Sequence, residues 1–155
     1  MRLWRLSSAR RARDFDGGYG LANHGRWNTR GRAVTYCSTV PSLAALEKRV
    51  HVTSPALLPP QVMVAYDLPD SISRRVVTTG DLAADWNLRE AYTQEIGDLW
   101  LDSGREVLLF VPSVVVALPA IPDQNVLINH RAAGADAIRT AQMIPSALDP
   151  RLFRP

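Results

Sequence analysis

An arginine, a tyrosine and a glutamate follow one another in the first third of the chain, at Arg26, Tyr36 and Glu47. A guanidinium forms charge-assisted hydrogen bonds with phosphate oxygens, an aromatic ring can stack on a planar base, and a carboxylate can accept hydrogen bonds from sugar hydroxyls. Together the three residue types suit the binding of a dinucleotide. Each alone also suits an ordinary position, because most arginines are solvated and a tyrosine in a strand commonly serves packing.

The segment around Glu47 predicts an amphipathic helix with a carboxylate on its apolar side. If the helix begins near Ser42, the i, i+3, i+7 stripe expected to face the core consists of Leu43, Leu46 and Val50. Glu47 is four residues after Leu43 and falls on the same side. A buried carboxylate must be paired or hydrogen-bonded, because desolvating it alone is costly. Two interpretations stay open: a site of chemistry, or an edge position where Glu47 reaches water or pairs with an arginine.

The segments that carry Arg26 and Tyr36 favour a binding site. Arg26 follows Gly25 in a turn that ends at Gly31, where the backbone bends easily and a guanidinium can be aimed at an anion. Tyr36 ends a short strand that leads directly into the helix. Because a short turn joins that strand to the helix, we expect Tyr36 and Glu47 to face one cleft.

A fourth candidate, Ser113, interrupts the most hydrophobic stretch of the chain, residues 106–116. A continuous apolar run predicts a central strand covered on both faces, and Pro112 marks its bend or its end. A serine at such a bend can show its hydroxyl to a cleft, or it can satisfy a broken strand. Without a histidine nearby in sequence to act as base, a hydrogen-bonding role towards a ribose or phosphate is favoured over a nucleophilic one.

Seven segments, in this order and spread over nearly the whole chain, resemble the RES domain family. They are residues 3–6, 25–28, 35–38, 43–47, 97–100, 111–113 and 125–129. The family is named for an arginine, a glutamate and a serine, which fall on Arg26, Glu47 and Ser113. The chain departs from many members after Asn129, where His130 replaces a proline, and no glutamate precedes Asn125.

The resemblance implies a single RES domain over residues 1–155, with an α+β fold similar to ADP-ribosyltransferases and short strands in two packed sheets. It implies the toxin of a bacterial type II toxin–antitoxin pair, which depletes NAD+ by cleaving the nicotinamide–ribose bond through hydrolysis or phosphorolysis. The alternative is a toxin that transfers ADP-ribose from NAD+ to a protein. The implied partner is an Xre-type helix-turn-helix antitoxin, in a complex that contains a toxin homodimer in the cytoplasm.

The resemblance also implies the residue roles. Glu47 stabilises the positive charge that develops on the ribose and holds its hydroxyls, and Arg26 holds the pyrophosphate. Tyr36 stacks on or hydrogen-bonds the nicotinamide riboside, and Ser113 and Asn125 complete the NAD+ site. NAD+ is then a substrate, with no separate cofactor and no metal.

Composition limits the alternatives. At 155 residues and 46% hydrophobic content, one domain with a real core is expected. The net charge of +3 is too small to argue for direct nucleic-acid binding. The single cysteine, Cys37, fits a reducing compartment and is more simply a small apolar residue than a nucleophile. No apolar run approaches the length of a membrane span.

Periodicity and turn residues predict helices at 42–51, 91–102 and 132–142. Strands are predicted at 2–7, 61–67, around 76–77, within 106–116 and at 125–129. The proline-bearing segments 53–60 and 119–124 are expected to be connectors. The glycine-rich segment 14–24 is either a cradle for phosphate or a plain surface loop.

Overall fold

The computed structural model of the chain describes residues 1–52, 54, 58–118 and 122–153. In chain order its helices and strands are β1 (Arg2–Ser8), α1 (Gly18–Ala22), β2 (Val34–Ser38), α2 (Pro41–Val50), β3 (Gln61–Asp67), β4 (Arg74–Val76), α3 (Glu90–Ser103), β5 (Leu108–Val111), β6 (Asn125–Asn129) and β7 (Arg139–Ser146). Short 3-10 turns join several of them. The expected connectors 53–60 and 119–124 fall partly outside the described residues.

The seven strands form one mixed sheet in the order β4-β5-β6-β2-β1-β3-β7. The pair β4–β5 is parallel, and the other neighbouring pairs are antiparallel. The expected α+β class is confirmed, but the described strands make one sheet where two packed sheets were expected. Alternating apolar residues mark a strand without naming its neighbours, so the sequence pattern could not decide how the strands divide into sheets.

Both faces of the sheet are buried along its central strands. Leu3 and Leu6 of β1 have odd and even positions, point to opposite faces, and are both buried. Antiparallel partners point to the same side of a sheet, so the pairs Tyr36–Leu127 and Ser38–Asn125 share one face. We call this face, which carries Tyr36, Ser38 and Asn125, the site face.

Two separate clusters cover the site face. Under α2, Ala44 packs with Leu6 and Met63 of β1 and β3. Under α3, three tryptophans pack over β5 and β6; they are Trp27, Trp86 and Trp100. Across the sheet, Ser38 and Asn125 lie between Trp4, which belongs to the α2 side, and Val111, which belongs to the α3 side. The row formed by Ser38 and Asn125 is therefore where the two clusters meet.

The structure confirms the helices predicted at 42–51 and 91–102, and α3 ends at Gly104 in a left-handed conformation, as its C-cap position favours. The α2 stripe is narrower than predicted, because Leu43 is buried whereas Leu46 and Val50 are exposed. The segment 14–24 contains the short helix α1, whose Gly20 lies against Arg32 and Val34.

The helix predicted at 132–142 is wrong. A 3-10 turn, Ala135–Ala137, follows Gly134 in a left-handed conformation, and the chain then enters the edge strand β7. Alanine-rich composition favoured a helix, but pairing with β3 along nearly its whole length overrides that local preference. Pro145 fits the edge of the sheet, where a missing backbone donor costs least.

Candidate functional site

Glu47 on α2 is half-buried and is held by two neutral donors. Its Oε1 accepts a hydrogen bond from Ser113 Oγ at 2.7 Å and another from Asn125 Nδ2 at 2.5 Å. Both donors come from strands or strand ends far away in sequence, so the carboxylate is fixed against the sheet. The hydrogen bonds supply the pairing that a partly desolvated carboxylate requires.

Ser113 is buried, with 1% of its surface exposed, at the break after β5. Its Oγ accepts hydrogen bonds from the backbone N–H groups of Val115 and Val116, at 3.0 and 3.1 Å. The single hydroxyl proton is therefore directed to Glu47. A buried oxygen that already has three partners is poorly placed to attack a substrate, so Ser113 orients the carboxylate.

Asn125, at the start of β6, is oriented in turn by a serine that the sequence did not single out. Ser38 Oγ donates to Asn125 Oδ1 at 2.9 Å, which turns Nδ2 of the amide towards Glu47. Ser38 stands two positions after Tyr36 on the same strand face, and this spacing is the one signal that could have pointed to it. We call Glu47, Ser113, Asn125 and Ser38 the carboxylate cluster.

The described part of the chain places no ion-pair partner beside the carboxylate. Among the described residues, Glu47 forms no ion pair and its second oxygen, Oε2, accepts no hydrogen bond. The described residues therefore do not support the interpretation in which Glu47 pairs with an arginine. A negative charge with one spare oxygen remains at the site face.

Arg26 lies in a tight turn, residues 25–29, which we call the arginine turn. Its Nη2 donates to the backbone oxygen of Trp86 at 2.7 Å, and its guanidinium carbon is 5.8 Å from the centre of the Trp86 ring. Its Nε is buried without a hydrogen-bond partner. In residues 1–52, 54, 58–118 and 122–153, no carboxylate pairs with Arg26. The guanidinium thus retains a charge and donors for an anion.

Tyr36 holds the arginine turn. Its hydroxyl donates to Asn28 Oδ1 at 2.7 Å and accepts from the backbone N–H of Trp27 at 3.0 Å. Burial raises the pKa of Tyr36 far above its ordinary value, so the phenol stays protonated. A Cβ on Gly25 would approach the Tyr36 hydroxyl to 2.6 Å, so glycine is required there. Because the hydroxyl of Tyr36 donates its proton to Asn28, the ring is the part of Tyr36 that can contact a substrate.

The arginine turn and the carboxylate cluster are neighbours. Tyr36 binds the first and Ser38 belongs to the second, and both point to the site face from β2. Two residues along a strand are separated by about 7 Å. The turn that carries Arg26 and the cluster that holds Glu47 are therefore both anchored to one face of β2, at Tyr36 and at Ser38.

The two depressions described on the surface lie elsewhere. One, of about 380 Å³, runs along α3 between Thr29 and Asp102; the other, of about 410 Å³, lies beside Phe15 and His130. None of the five predicted site residues lines either depression. The candidate site is thus identified by the chemistry of its side chains and not by a cavity.

Two of the remaining nucleophile and base candidates, Cys37 and His130, lie on the opposite side of the sheet from the carboxylate cluster. Cys37 points to the opposite face of the sheet, and burial raises the pKa of its thiol to about 12, which keeps it protonated. Burial lowers the pKa of His130, whose Nε2 is 2.8 Å from Thr35 Oγ1. His51 is exposed at the end of α2. Within the described ranges, no group of three or more potential metal ligands occurs, and no helix has the length and hydropathy to cross a membrane.

Comparisons with known proteins give the same family over the whole chain. A family model described as "RES domain" matches residues 2–149. A protein named "Prs ADP-ribosylating toxin" from Sphingobium sp. (strain YBL2) is 34% identical over 159 residues, covering 98% of this chain and 96% of the relative. A "Toxin Res" from Pseudomonas putida is 32% identical over 155 residues, covering 99% of this chain and 100% of the relative.

A solved structure shares the fold. A chain of the M. tuberculosis MbcT-MbcA toxin-antitoxin complex aligns with a TM-score of 0.72 and 15% identity, covering 98% of this chain and 86% of that chain. At this identity the likeness concerns the fold. The family model and the two curated relatives, by contrast, match this chain in amino-acid sequence. Both curated relatives are named as toxins, and the chain itself belongs to the RES domain family.

Proposed function

We propose that this chain is the toxin of a toxin–antitoxin pair and that it depletes NAD+ by cleaving the nicotinamide–ribose bond. The carboxylate cluster is the observation that carries the proposal. A half-buried carboxylate held by Ser113 and Asn125, with no cation beside it in the described chain, leaves its negative charge for the substrate. An enzyme that builds positive charge on a ribose needs such a group.

The reaction balances without a cofactor. The bond between the anomeric carbon and the nicotinamide nitrogen breaks, and its electron pair leaves with the nicotinamide, which becomes neutral. The ribose passes through a state that resembles an oxocarbenium ion. The oxygen of water then bonds to the anomeric carbon and releases a proton, or a phosphate oxygen bonds there instead. Glu47 stabilises the developing positive charge, because the charges are opposite and the carboxylate is already oriented.

Arg26 and Tyr36 have supporting roles in this proposal. Arg26 holds the pyrophosphate through the donors that Trp86 leaves unused. Tyr36 offers its ring to the nicotinamide riboside while its hydroxyl holds the arginine turn. The contacts of Ser113 and Asn125 favour positioning of Glu47 over direct contact with NAD+.

The decisive experiment follows NAD+ concentration with purified protein, with and without inorganic phosphate. The wild type is expected to consume NAD+, and Glu47→Gln, which keeps shape and removes charge, is expected not to. Glu95→Gln removes an exposed carboxylate from α3 and serves as the matched control. Dependence on phosphate indicates phosphorolysis, and independence indicates hydrolysis. Full activity of Glu47→Gln would refute the mechanism.

A second candidate function is ADP-ribosyl transfer to a protein, favoured by the name of the Sphingobium relative. The same bond breaks, but a nucleophilic side chain of the target replaces water. Incubation of the wild type with cell extract and NAD+ would then give one protein heavier by one ADP-ribose unit, absent with Glu47→Gln. Slow NAD+ loss without extract and labelling with it would favour transfer over hydrolysis.

The proposed partner is an Xre-type helix-turn-helix antitoxin, and the proposed assembly contains a toxin homodimer. The support is the family and a structural neighbour solved as a toxin-antitoxin complex. Co-expression with the product of an adjacent helix-turn-helix gene should restore growth and give a stable complex. Light scattering of that complex measures its stoichiometry, and a single toxin copy per complex would reject the homodimer.

A further inference from the structure

The arginine turn is held by one face of α3. Thr93 Oγ1 donates to the backbone oxygen of Arg26 at 2.7 Å, and Gln94 Nε2 donates to the backbone oxygen of Gly25 at 2.9 Å. Thr93 is fully buried, and its hydroxyl also lies 2.9 Å from the backbone oxygen of Glu90 in its own helix, so Arg26 and Glu90 compete for its one proton. Two consecutive peptide groups of the turn are therefore bound by two consecutive helix residues.

One helical turn later, the same face contacts the second half of the arginine turn. Gly97 lies directly against the backbone oxygen of Trp27, and a Cβ there would collide with that oxygen. Asp98 accepts from Thr29 N at 2.9 Å and from Thr29 Oγ1 at 2.6 Å. Residues at i, i+1, i+4 and i+5 share one face of a helix, so the contacts form a continuous surface.

The backbone of the turn is thus held at several points, whereas the side chain that it carries is held at one residue, Trp86. Among the described residues, the guanidinium of Arg26 has one hydrogen bond, to Trp86, and a buried Nε without a partner. The position of that guanidinium consequently depends on the backbone from which it projects as well as on Trp86. Small displacements of a binding group can cost large factors in binding or rate.

We infer that Thr93, Gly97 and Asp98 of α3 are positioning residues, which set Arg26 for the pyrophosphate of the substrate. This inference rests on the proposed function, because it gives Arg26 an anion to bind. It also assigns a task to residues 97–100, which the fold alone explains only through the burial of Trp100.

The test compares Thr93→Val and Asp98→Asn with Glu95→Gln, a control at an exposed position of α3 that makes no hydrogen bond to the arginine turn. Each positioning variant should raise the KM for NAD+ about 3- to 10-fold while kcat stays within about twofold, because the hold of α3 on the turn is weakened. Thr93→Val loses a hydrogen bond to the turn, and Asp98→Asn weakens the contacts of Asp98 with Thr29 and its ion pair with Arg32. Glu95→Gln should leave both constants unchanged. A fall in kcat at constant KM would overturn the inference.

A double-mutant cycle separates positioning from general support of the fold. In the Arg26→Ala background, Thr93→Val and Asp98→Asn should change the KM by less than about twofold, because the group that they position is absent. The same fold-change in both backgrounds would show that they act independently of Arg26. Thermal melts of every variant confirm that the folded protein is being measured.

A readout without turnover keeps the inference separate from the proposed function. The Nε–H signal of Arg26 in a proton–nitrogen NMR spectrum should shift in Thr93→Val and Asp98→Asn and stay in place in Glu95→Gln. If the wild type fails to consume NAD+, the proposed function fails, and this signal still decides whether α3 positions Arg26. An unshifted signal in both positioning variants would overturn the inference.

Discussion

The carboxylate cluster and the arginine turn hold their charged residues in opposite ways. Glu47 sits on a regular helix, and side-chain donors from Ser113 and Asn125 fix its carboxylate. Arg26 sits in a turn whose backbone is fixed by Tyr36 and α3, while its guanidinium keeps unused donors. The difference suits two tasks. A group that stabilises a transition state must be oriented beforehand, whereas a group that binds an anion needs free donors.

The largest expected effect comes from the charge of Glu47. Glu47→Gln should lower kcat about 10²- to 10³-fold, the usual cost of removing one oriented electrostatic group from an active site. NAD+ affinity should change less, because the amide keeps the shape and can still accept a hydrogen bond. Steady-state kinetics measure both constants. If KM rises while kcat is retained, Glu47 serves substrate binding and not the transition state. The two regions would then no longer differ in task.

Arg26→Ala should chiefly weaken the affinity for NAD+. Loss of a charge-assisted hydrogen bond to the pyrophosphate is worth about 1.5–3 kcal/mol, which corresponds to roughly a 10- to 150-fold weaker affinity for NAD+. Titration calorimetry in the inactive Glu47→Gln background measures this without turnover. Arg26→Lys is the matched variant, since it keeps the charge and loses the planar fork. An unchanged affinity in Arg26→Ala would remove Arg26 from the substrate site.

The sequence located the elements of the two regions where the signal was local. Leu43 and the turn chemistry around Gly25 located α2 and the arginine turn, and the family motifs gave Arg26, Glu47 and Ser113. The cluster itself is non-local, because Ser38 and Asn125 are 87 residues apart. No periodicity within a segment reports such a contact. The roles in substrate binding of all five predicted residues stay predictions.

The failures have the same origin. Seven of the eight residues of β7 are exposed, so this strand lacks the apolar alternation that marks a half-buried strand. Whether the strands form one sheet or two depends on which strands pair. Whether the Tyr36 hydroxyl donates its proton to Asn28 depends on the turn, which brings Asn28 back beside β2. Each is decided by tertiary contacts that override local preference.

Ser113→Ala should have an intermediate effect on the carboxylate cluster. It removes one donor to Glu47 and leaves the N–H groups of Val115 and Val116 without their acceptor. We expect a fall in kcat of about tenfold and a loss of about 1–3 kcal/mol in the free energy of unfolding. Activity assays and urea unfolding measure the two effects. Retained kcat in a destabilised protein would reduce Ser113 to a purely structural residue.

Ser38→Ala should be milder, because it acts on Glu47 through Asn125. The amide loses the hydrogen bond that selects its orientation, but Nδ2 can still reach the carboxylate in part of the population. We expect kcat to fall by about 2- to 5-fold, within the value of one neutral hydrogen bond. Ser38→Thr keeps the hydroxyl and should restore activity. Equal kcat for Ser38→Ala and the wild type would show that Asn125 needs no orienting partner.

The smallest effect is expected where charge is paired at the surface near the arginine turn. Asp102 accepts two hydrogen bonds from Arg32, which chiefly hold the pKa of that carboxyl below its usual value. A lowered folded-state pKa stabilises the protein above the ordinary pKa of aspartate, and the contribution is lost as pH falls through the folded value. Because its side chain is 55% exposed, Asp102→Asn should cost less than about 1 kcal/mol at neutral pH. Urea unfolding at neutral pH and near pH 3 measures the difference, which should shrink at the lower pH. A large loss of NAD+ affinity in Asp102→Asn would mean that the surface ion pair also positions Arg26. The residues that hold the turn would then include Asp102 in addition to Thr93, Gly97 and Asp98.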